Sequence, residues 1–392
     1  MSAASAGPIA VRIARSPAEA QEAWREVSAR ATQGYHGQTF EWYDAYHRSL
    51  GAGGTAWVIA MVLRGGSPVG VLPLCAQRTR VYRMPVRALA LPWHPDLLLC
   101  DIAVSEPLPL AGLDCALRSA LARARIGWDV ILLQRVREDS NAAAVLPERN
   151  LVVPEGKSSW FSCREGYEAI AANYASRLKK SLKQARKRLG AGYGVEFLRS
   201  AGNGIAEAFT QFLEVEASGW KAEQGSAIGQ VADRRAFYEL LIRGGNGLWR
   251  PEINLLRLNG RTAAAQLCVR AGRALSVLKI GYDESHRELT PGNLLLDQLL
   301  RTSCESGDTD TVSLITDTAW MADWRPRKAA VLTLMRFNHT AAGLAARALS
   351  HVGRLRDRMR NASTSAPSPA TATGPRARST LRRSGTAPPS KA

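Results

Sequence analysis

Long hydrophobic stretches are missing from this sequence of 392 residues. It contains no uninterrupted apolar run of about 18 residues, so it predicts no membrane-spanning helix. The N-terminal stretch MSAASAGPIAVRIARSPAEA also lacks the apolar core that secretory signal peptides contain. These absences favour a protein that works in the cytoplasm and has no transmembrane segment.

Metal, disulfide and nucleotide-binding motifs are missing as well. The six cysteines are scattered and none forms a Cys-x-x-Cys pair, which argues against a zinc site or a disulfide framework. The six histidines show no metal-ligand spacing. The sequence has no Gly-x-Ser-x-Gly, Walker, His-Glu-x-x-His or dinucleotide-binding glycine motif. We therefore expect reduced thiols and no bound metal.

Acidic residues are few relative to basic ones: 34 Asp and Glu stand against 52 Lys and Arg, which gives a net charge of +18. Residues 351–392 alone carry nine basic residues and one acid. Residues 361–392 are rich in Ser, Thr, Ala and Pro, and cannot bury enough apolar surface to offset the entropy of ordering. We predict a disordered basic tail, preceded by a helix, that is able to contact an anionic partner.

The rest of the sequence alternates between strand-like and helix-like segments, which predicts an α/β fold. Apolar runs flank Gly65-Gly66 and, more clearly, Asn259-Gly260, and such dipeptides are typical of β-hairpins. Both halves then continue with a further strand and a helix. The pattern predicts two tandem lobes, 1–155 and 156–345, each with a mixed central sheet flanked by helices, and then the helix and tail of 346–392. The boundary is expected near Leu151–Ser159.

The predicted helix SRLKKSLKQARKRLG is strongly basic. Its apolar residues fall on one face, which is typical of a helix that packs on a core; they are Leu178, Leu182, Ala185 and Leu189. The basic residues, which cover the remaining surface, are either a solvated face or an anion-binding face. Aromatic residues are not interleaved with them, which argues against stacking on nucleic acid.

The segment VLKIGYDESHRELTPGNLLLDQLL joins a predicted strand, Ala274–Tyr282, to a Leu-rich helix. Thr290 is expected to cap this helix and Pro291 to be its first residue. Simple capping is one interpretation of this joint. The other is a pyrophosphate site, because a helix N-terminus offers free N–H groups and Gly292 allows a ligand to approach the backbone.

Two tryptophan-containing segments are candidates for a cleft wall. FLEVEASGWKAEQGSAIG places Trp220 and Lys221 in a loop after a helix, and DTAWMADWRPRKAAVLTL places Trp320 and Trp324 four residues apart. Packing in the core and contact with a substrate both fit such residues, since loops on a rigid scaffold often carry function.

Taken in order, the basic helix, the FLEVEASGWKAEQGSAI segment, the LNGRTAAAQLCVRAGRALSVLKIGYDESHRELTPGNLLLDQLL segment and the last Trp/Arg segment resemble the GNAT N-acetyltransferase superfamily. The resemblance is to the branch of cellulose-biosynthesis acetyltransferase-like proteins and covers residues 174–331. It implies tandem acyl-CoA N-acyltransferase lobes, with acetyl-CoA as co-substrate in the second. The residues implied to bind acetyl-CoA are Leu278, Lys279, Ile280, Gly281 and Tyr282 on the strand, and Thr290, Pro291, Gly292, Asn293 and Leu294 at the helix start.

The same resemblance implies an acceptor cleft near Gly219, Trp220 and Lys221, with Trp320 and Trp324 as further substrate contacts. The acceptor amine attacks the thioester directly in enzymes of this fold, so the protein mainly needs proximity, an oxyanion donor and a proton acceptor. The candidate bases are Glu216, Asp283 and Asp317.

Three functions stay open at this point. The first is an acyl-CoA-dependent N-acyltransferase that acts on a small-molecule or saccharide amine, such as an amino sugar or a polysaccharide precursor. The second is an aminoacyl transferase of the peptidoglycan-bridge type, because the basic helix also fits tRNA. The third is a non-catalytic accessory subunit of polysaccharide synthesis, tethered through the basic tail.

Overall fold

The computed structural model describes residues 7–31, 35–145, 151–190, 192–218, 225 and 227–364. The elements up to residue 162 are β1 (Ile9–Ala14), α1 (Pro17–Arg30), α2 (Phe40–Arg48), β2 (Trp57–Arg64), β3 (Ser67–Val81), β4 (Met84–Ala90), β5 (Ala103–Val104), α3 (Leu110–Arg123), β6 (Val130–Arg137), α4 (Asn141–Val145) and β7 (Leu151–Ser162).

The elements after residue 162 repeat much of this order. They are α5 (Tyr167–Asn173), α6 (Ser176–Gly190), β8 (Val195–Ser200), α7 (Ile205–Glu216), α8 (Ala232–Ile242), β9 (Arg250–Leu258), β10 (Arg261–Ala271), β11 (Ala274–Tyr282), α9 (Pro291–Glu305), β12 (Thr311–Ser313), β13 (Arg327–Phe337) and α10 (Ala341–Thr364). The strand predicted at Ala274–Tyr282 is found with these bounds.

The strands form one continuous mixed sheet in the order β1-β2-β3-β4-β6-β13-β7-β12-β11-β10-β9-β8, with β5 beside β3. From either edge the sheet begins with four consecutive antiparallel strands and then adds a parallel one, β6 beside β4 and β12 beside β11. The two halves therefore have the same topology, and the predicted fold of tandem lobes with a mixed sheet flanked by helices is confirmed.

The two lobes exchange their last strands at the centre of this sheet. β7, which follows the first lobe in sequence, pairs with β12 of the second lobe, and β13, which ends the second lobe, pairs with β6 of the first. β7 and β13 also pair with each other. The segment Leu151–Ser159, where the sequence suggests a boundary, thus lies within a central strand that has a partner on each side.

Both predicted hairpins are present, and their turns explain the residues found there. Gly65 and Gly66 join β2 to β3 with positive φ angles of 58° and 90°. Asn259 and Gly260 join β9 to β10 with φ angles of 49° and 78°. Two consecutive positive φ angles are what a two-residue hairpin turn requires, and Asn and Gly adopt them at little cost.

Helices cover both faces of the second lobe. The apolar stripe of α6 packs with α9 against one face, where Leu182, Leu189 and Leu296 are buried together. α7 and α8 cover the other face, where Phe212 and Phe237 join a core that continues into the first lobe. Trp42 of α2 makes edge contacts with the rings of Phe237 and Trp249, so aromatic side chains of the first lobe pack directly on those of the second.

The end of the described chain is the helix α10, which the periodicity of residues 345–359 predicts. No helix in the described ranges has the combination of length and hydrophobicity that is needed to cross a bilayer. Residues 361–364, which the composition predicts to be disordered, form the last turn of α10. The rest of the predicted tail, residues 365–392, lies outside the described residues, and so does any contact that it makes with an anionic partner.

Candidate active site

A cleft opens where β11 and β12 separate. The two strands pair in parallel only from Ala274 to Ser276. After Ser313 the chain turns away and pairs with β7, since the N–H of Leu314 donates to the carbonyl of Ser159. From Val277 onwards no described strand pairs with this edge of β11, so its backbone groups face the cleft.

The cleft has a volume of about 280 Å³. Val277, Leu278, Lys279 and Ile280 form one wall, and the residues after β12 form the other: Leu314, Thr316, Thr318, Trp320 and Met321. The pairing of β10 with β11 shifts register beside Leu278, and such a bulge increases the local twist of a strand. The structure thus brings the predicted cofactor strand and Trp320 to one cleft.

The helix α9 begins beyond the C-terminal end of β11. Thr290 occupies the cap position, but its side chain makes no capping hydrogen bond, which differs from the prediction. The reason is its backbone, which has left-handed angles of φ 47° and ψ 52° instead of the extended angles of a side-chain cap. The buried hydroxyl oxygen of Thr290 has no hydrogen-bond partner among the described residues.

Few backbone donors stay free at this helix start. The N–H groups of Asn293 and Leu294 already donate to the carbonyl of Thr290, at 3.0 and 3.1 Å. Pro291 has no N–H group, and the N–H of Gly292 has no recorded acceptor in the described part of the chain. A Cβ atom at Gly292 would approach only the ring and Cβ of Tyr282, at 3.6 Å or more, so a side chain at this position has room. The remaining predicted donor, the backbone N–H of Thr290, donates to the carbonyl of Arg287.

All three predicted bases accept hydrogen bonds from other residues. Asp283 accepts a hydrogen bond from the N–H of Ser285 and caps the 3-10 helix that leads to Thr290. Burial alone would raise the pKa of Asp283, but its bonds to Ser285 and the nearby His286 hold the pKa below its ordinary value.

Asp317, the second of these carboxylates, accepts hydrogen bonds from Ser159 and from Lys328, at 2.9 and 2.8 Å. Burial again acts to raise its pKa, and Lys328 and Ser159 outweigh that effect, so the pKa is lowered. A carboxylate with a lowered pKa is a weaker base, because it holds a proton less readily.

The third predicted base, Glu216, lies at the end of α7 and is only 3% exposed. Its carboxylate accepts a hydrogen bond of 2.9 Å from the N–H of Ile228, which follows it by 12 positions. Its backbone presses on β11: a Cβ atom added to Gly281 would lie 3.0 Å from the Cα atom of Glu216. Gly281 therefore allows α7 to end directly against the strand that lines the cleft.

The predicted tryptophan contacts separate into different places. Trp320 is 46% exposed and lines the cleft. Trp324, in contrast, is 1% exposed and packs on Tyr174 and Phe161 in the core, so its position does not support a substrate contact. The two rings differ because they lie on opposite sides of the 3-10 turn Ala319–Trp324: Trp320 points outward and Trp324 points into the core. Gly219, Trp220 and Lys221 lie outside the described residues.

Sequence reasoning missed a charged cluster at the junction of the lobes. Asp96, in the loop after β4, is 2% exposed and lies between α8 and β11 of the second lobe. Its carboxylate pairs with Arg234 at 2.7 Å and with Lys279 at 2.8 Å, and it accepts a hydrogen bond from Tyr238 at 2.9 Å. Lys279 also lines the cleft, so this cluster links the first lobe to the cleft wall.

The charges around Asp96 control its ionisation. Burial alone would raise the pKa of this carboxyl, but the hydrogen bonds and charges of Arg234 and Lys279 outweigh burial and hold the pKa well below its ordinary value. No periodic pattern marks Asp96 in the sequence, because its partners lie more than a hundred positions away.

The basic face of α6 is only partly used in ion pairs. Arg177 pairs with Asp323, Arg186 pairs with the buried Asp297, and Arg188 donates to the carbonyl of Glu288 near the start of α9. The exposed Lys180, Lys183 and Lys187 have no ion-pair partner within the described ranges. No group of three or more His, Cys, Asp and Glu side chains in the described residues is arranged to hold a metal ion.

Solved structures with the same fold include three matched over more than 80% of this chain. The crystal structure of FemX is 11% identical, with a TM-score of 0.52, and the match covers 81% of this chain and 96% of FemX. The C-terminal domain of a putative lysylphosphatidylglycerol synthetase from Agrobacterium fabrum is 11% identical, with a TM-score of 0.51 and coverage of 84% and 95%. A conserved protein of unknown function from Bacteroides thetaiotaomicron is 12% identical, with a TM-score of 0.53 and coverage of 84% and 100%.

At these identities the structural matches show the fold alone. A comparison with curated protein sequences gave no match. The family profile described as acetyltransferase (GNAT) domain matches residues 2–86 and 176–324, which is more than half of the chain. The tandem topology of the sheet agrees with that match. This protein belongs to the GNAT acetyltransferase domain family.

Proposed function

We propose that this protein is an acyl-CoA-dependent N-acyltransferase whose co-substrate, acetyl-CoA, binds in the second lobe. The observation that carries the proposal is the separation of β11 from β12 after Ser276, which leaves the backbone of β11 unpaired along a cleft. An unpaired strand edge binds extended, amide-containing chains through main-chain hydrogen bonds. The pantetheine arm of acyl-CoA is such a chain.

The residues beyond the C-terminal end of β11 fit the rest of acyl-CoA. The free N–H of Gly292 and the unpartnered hydroxyl of Thr290 lie at the start of α9, where the helix dipole favours a pyrophosphate. Arg188 of α6 lies against Glu288 in the adjoining turn, which adds a positive charge nearby. The pantetheine arm would run along β11 towards the thioester, past Leu278, Lys279, Ile280, Gly281 and Tyr282.

The chain itself must position an amine acceptor and remove its proton. Acyl-CoA supplies the activated acyl group when it is bound. Of the three predicted bases, we propose Glu216 for the proton transfer, because its backbone lies directly against Gly281 of the strand that lines the cleft. We propose a small-molecule or saccharide amine as acceptor and the cytoplasm as the site of action.

Titration calorimetry with acetyl-CoA tests the cofactor site. The wild-type protein should bind acetyl-CoA, and Gly292→Glu should abolish binding because a carboxylate would occupy the space of the pyrophosphate. The helix itself tolerates this change, since acids near a helix N-terminus are stabilising. Gly292→Gln is the matched control for bulk without charge and should retain weaker binding.

The result that overturns the cofactor proposal is absence of acetyl-CoA binding to the wild type, or equal binding by wild type and Gly292→Glu. The second result leaves binding at another place, and the first favours a non-catalytic accessory role. Thermal denaturation of each variant shows whether a loss of binding reflects unfolding instead.

A second candidate function rests on the exposed basic face of α6. Lys180, Lys183 and Lys187 would neutralise phosphates if the acyl donor were a charged tRNA instead of acyl-CoA. Filter binding with total tRNA at increasing salt tests this alternative: affinity should fall steeply with salt in the wild type. The triple change of these lysines to Gln should flatten that dependence, and a wild type that binds no tRNA at low salt removes the alternative.

A further inference from the structure

The first lobe contains a larger open cavity than the acyl cleft. Its volume is about 500 Å³, which is within the usual range of small-molecule sites. The loop after α2, the outer part of β3, the segment after β4 and one residue of β6 form its walls. Nothing in the acyl-transfer function proposed above uses this space.

The lining of this cavity is polar and uncharged. No described residue that lines it has a charged side chain, although the protein as a whole carries a charge of +18. Its polar groups are amides and hydroxyls, from Gln77, Gln134, Thr55 and Thr79. Neither Gln77 nor Gln134 has a recorded side-chain hydrogen bond within the described residues, so both amides are available to a ligand.

An aromatic ring stands at the same cavity. Trp93 lines it and is 52% exposed, the highest fraction among the large exposed hydrophobic side chains of the described chain. The indole offers a flat apolar face together with one N–H donor. Gly53 and Gly54 form part of the wall, and a Cβ atom at either position would meet no atom within 4 Å, so their backbone is open to a ligand.

This combination selects a class of ligand. An anion or a cation would require an opposite charge, which the lining lacks, and a fully apolar ligand would leave the amides and hydroxyls without partners. Sugar hydroxyls donate and accept hydrogen bonds, as glutamine amides and threonine hydroxyls do, and the C–H face of a pyranose packs flat on an indole. The geometry points to a binding site for a neutral saccharide in the cavity of Trp93, Gln77 and Gln134.

The site has a structural connection to the acyl cleft. It opens beside the C-terminal ends of β4 and β6, the pair that corresponds by topology to β11 and β12. Asp96 follows Trp93 by three residues, a reach of about 10 Å, and contacts Lys279 on the wall of the acyl cleft. A saccharide chain on Trp93 thus starts close to the junction of the lobes. The saccharide site itself does not depend on the proposed acyl-CoA function.

Titration calorimetry on the full-length protein tests the proposal with three probes. Two are neutral tetrasaccharides, of β-1,4-linked glucose and of β-1,4-linked N-acetylglucosamine, and the third is an anionic tetragalacturonate. We expect saturable binding of at least one neutral probe and weaker or no binding of the anion. Trp93→Ala should weaken the neutral probe about tenfold, and Gln134→Ala should weaken it less.

Tyr193→Ala is the matched control, because Tyr193 is an exposed aromatic residue beside β8, at the opposite edge of the sheet. Its affinity for the neutral probe should equal that of the wild type. The proposal is overturned if neither neutral probe saturates up to about 10 mM, if Trp93→Ala and Gln134→Ala both bind like the wild type, or if tetragalacturonate binds more tightly. Competition between acetyl-CoA and the neutral probe also overturns it, since it would place the saccharide in the acyl cleft.

The two proposals fail separately in this design. Saccharide binding without acetyl-CoA binding contradicts the acyl-CoA function and leaves the saccharide site intact. Acetyl-CoA binding without saccharide binding contradicts the saccharide site and leaves the acyl-CoA function intact.

Discussion

Individual side chains at the candidate site owe their roles to their neighbours. The sequence alone does not distinguish the three acids that are predicted to lie near the cleft, which are Asp283, Asp317 and Glu216. In the structure Asp283 caps a turn and Asp317 pairs with Lys328. Glu216 accepts a hydrogen bond from Ile228, and its backbone lies against the strand that lines the cleft. The choice of Glu216 as base therefore comes from tertiary contacts and not from residue type.

His36 provides a test at the same scale. Its ring is buried between Tyr35 and Trp42, and neither ring nitrogen has a hydrogen-bond partner in the described part of the chain. Burial lowers the pKa of its imidazole from 6.5 to about 3. Between these values the unfolded chain binds a proton that the folded chain excludes, so stability rises with pH in this range.

We predict that the free energy of unfolding falls by up to about 1.4 kcal/mol for each pH unit below about 6.5 because of His36. His36→Phe keeps a ring in the same space and removes the titration, so its slope with pH should be smaller. Urea denaturation of both proteins at pH 7, 6, 5 and 4 measures the difference. Equal slopes would show that His36 is hydrated or protonated in the folded state.

At the scale of elements, the ends of helices define the cleft. α7 ends against β11 at Gly281, and α9 begins beside the next residue, Tyr282, so both helix ends meet the C-terminal end of this strand. The Leu-rich pattern and Pro291 are enough to predict α9, because apolar periodicity and the preference of proline for the first helical position are local, whereas the predicted side-chain cap of Thr290 is not found. The contact of α7 with Gly281 has no local signal, since Gly281 follows Glu216 by 65 positions in the sequence.

Gly281→Ala tests that contact. The added Cβ atom would lie 3.0 Å from the Cα and 3.1 Å from the N atom of Glu216, and backbone atoms move less easily than side chains. We predict a loss of about 1 to 3 kcal/mol of stability and weaker acetyl-CoA binding, because α7 must shift away from the cleft strand.

Gly156→Ala is the control for this substitution. Gly156 also lies in a strand, but a Cβ atom there would meet nothing within 4 Å. Chemical denaturation should give it nearly wild-type stability. A Gly281→Ala protein as stable as Gly156→Ala would mean that α7 adjusts freely.

At the scale of the whole molecule, the lobes are held as one unit. The exchange of β7 and β13 makes each lobe depend on a strand that is distant in sequence. The aromatic contacts of Trp42 and the charged cluster of Asp96 join the lobes on the same face as α8. The sequence predicts two lobes, but it gives no sign that they share their central strands.

The Asp96 cluster makes this coupling measurable. Asp96→Asn removes the charge that balances Arg234 and Lys279, so we predict a loss of about 3 kcal/mol of stability at pH 7. Asp139→Asn is the control, because Asp139 pairs with Arg137 at an exposed position and should cost less than about 1 kcal/mol. Guanidinium denaturation gives both values.

The pH dependence adds a second readout for the same cluster. The pKa of Asp96 is lower in the folded than in the unfolded chain, so its contribution is present above about pH 4 and is lost as the pH falls below that value. The difference between wild type and Asp96→Asn should therefore shrink in acid. A constant difference would assign the effect to packing instead of charge.

The sequence by itself determined the α/β class, the two hairpins, the helix α9 and the family, because these depend on neighbouring residues, on turn chemistry and on apolar periodicity. Only the tertiary structure decided where β11 leaves β12, which partners the three predicted bases have, and why Asp96 is buried with three partners. It also decided that Trp324 packs in the core while Trp320 lines the cleft. The reason is physical: burial, pKa and ligand access depend on groups that lie far apart in sequence and meet only in the folded chain.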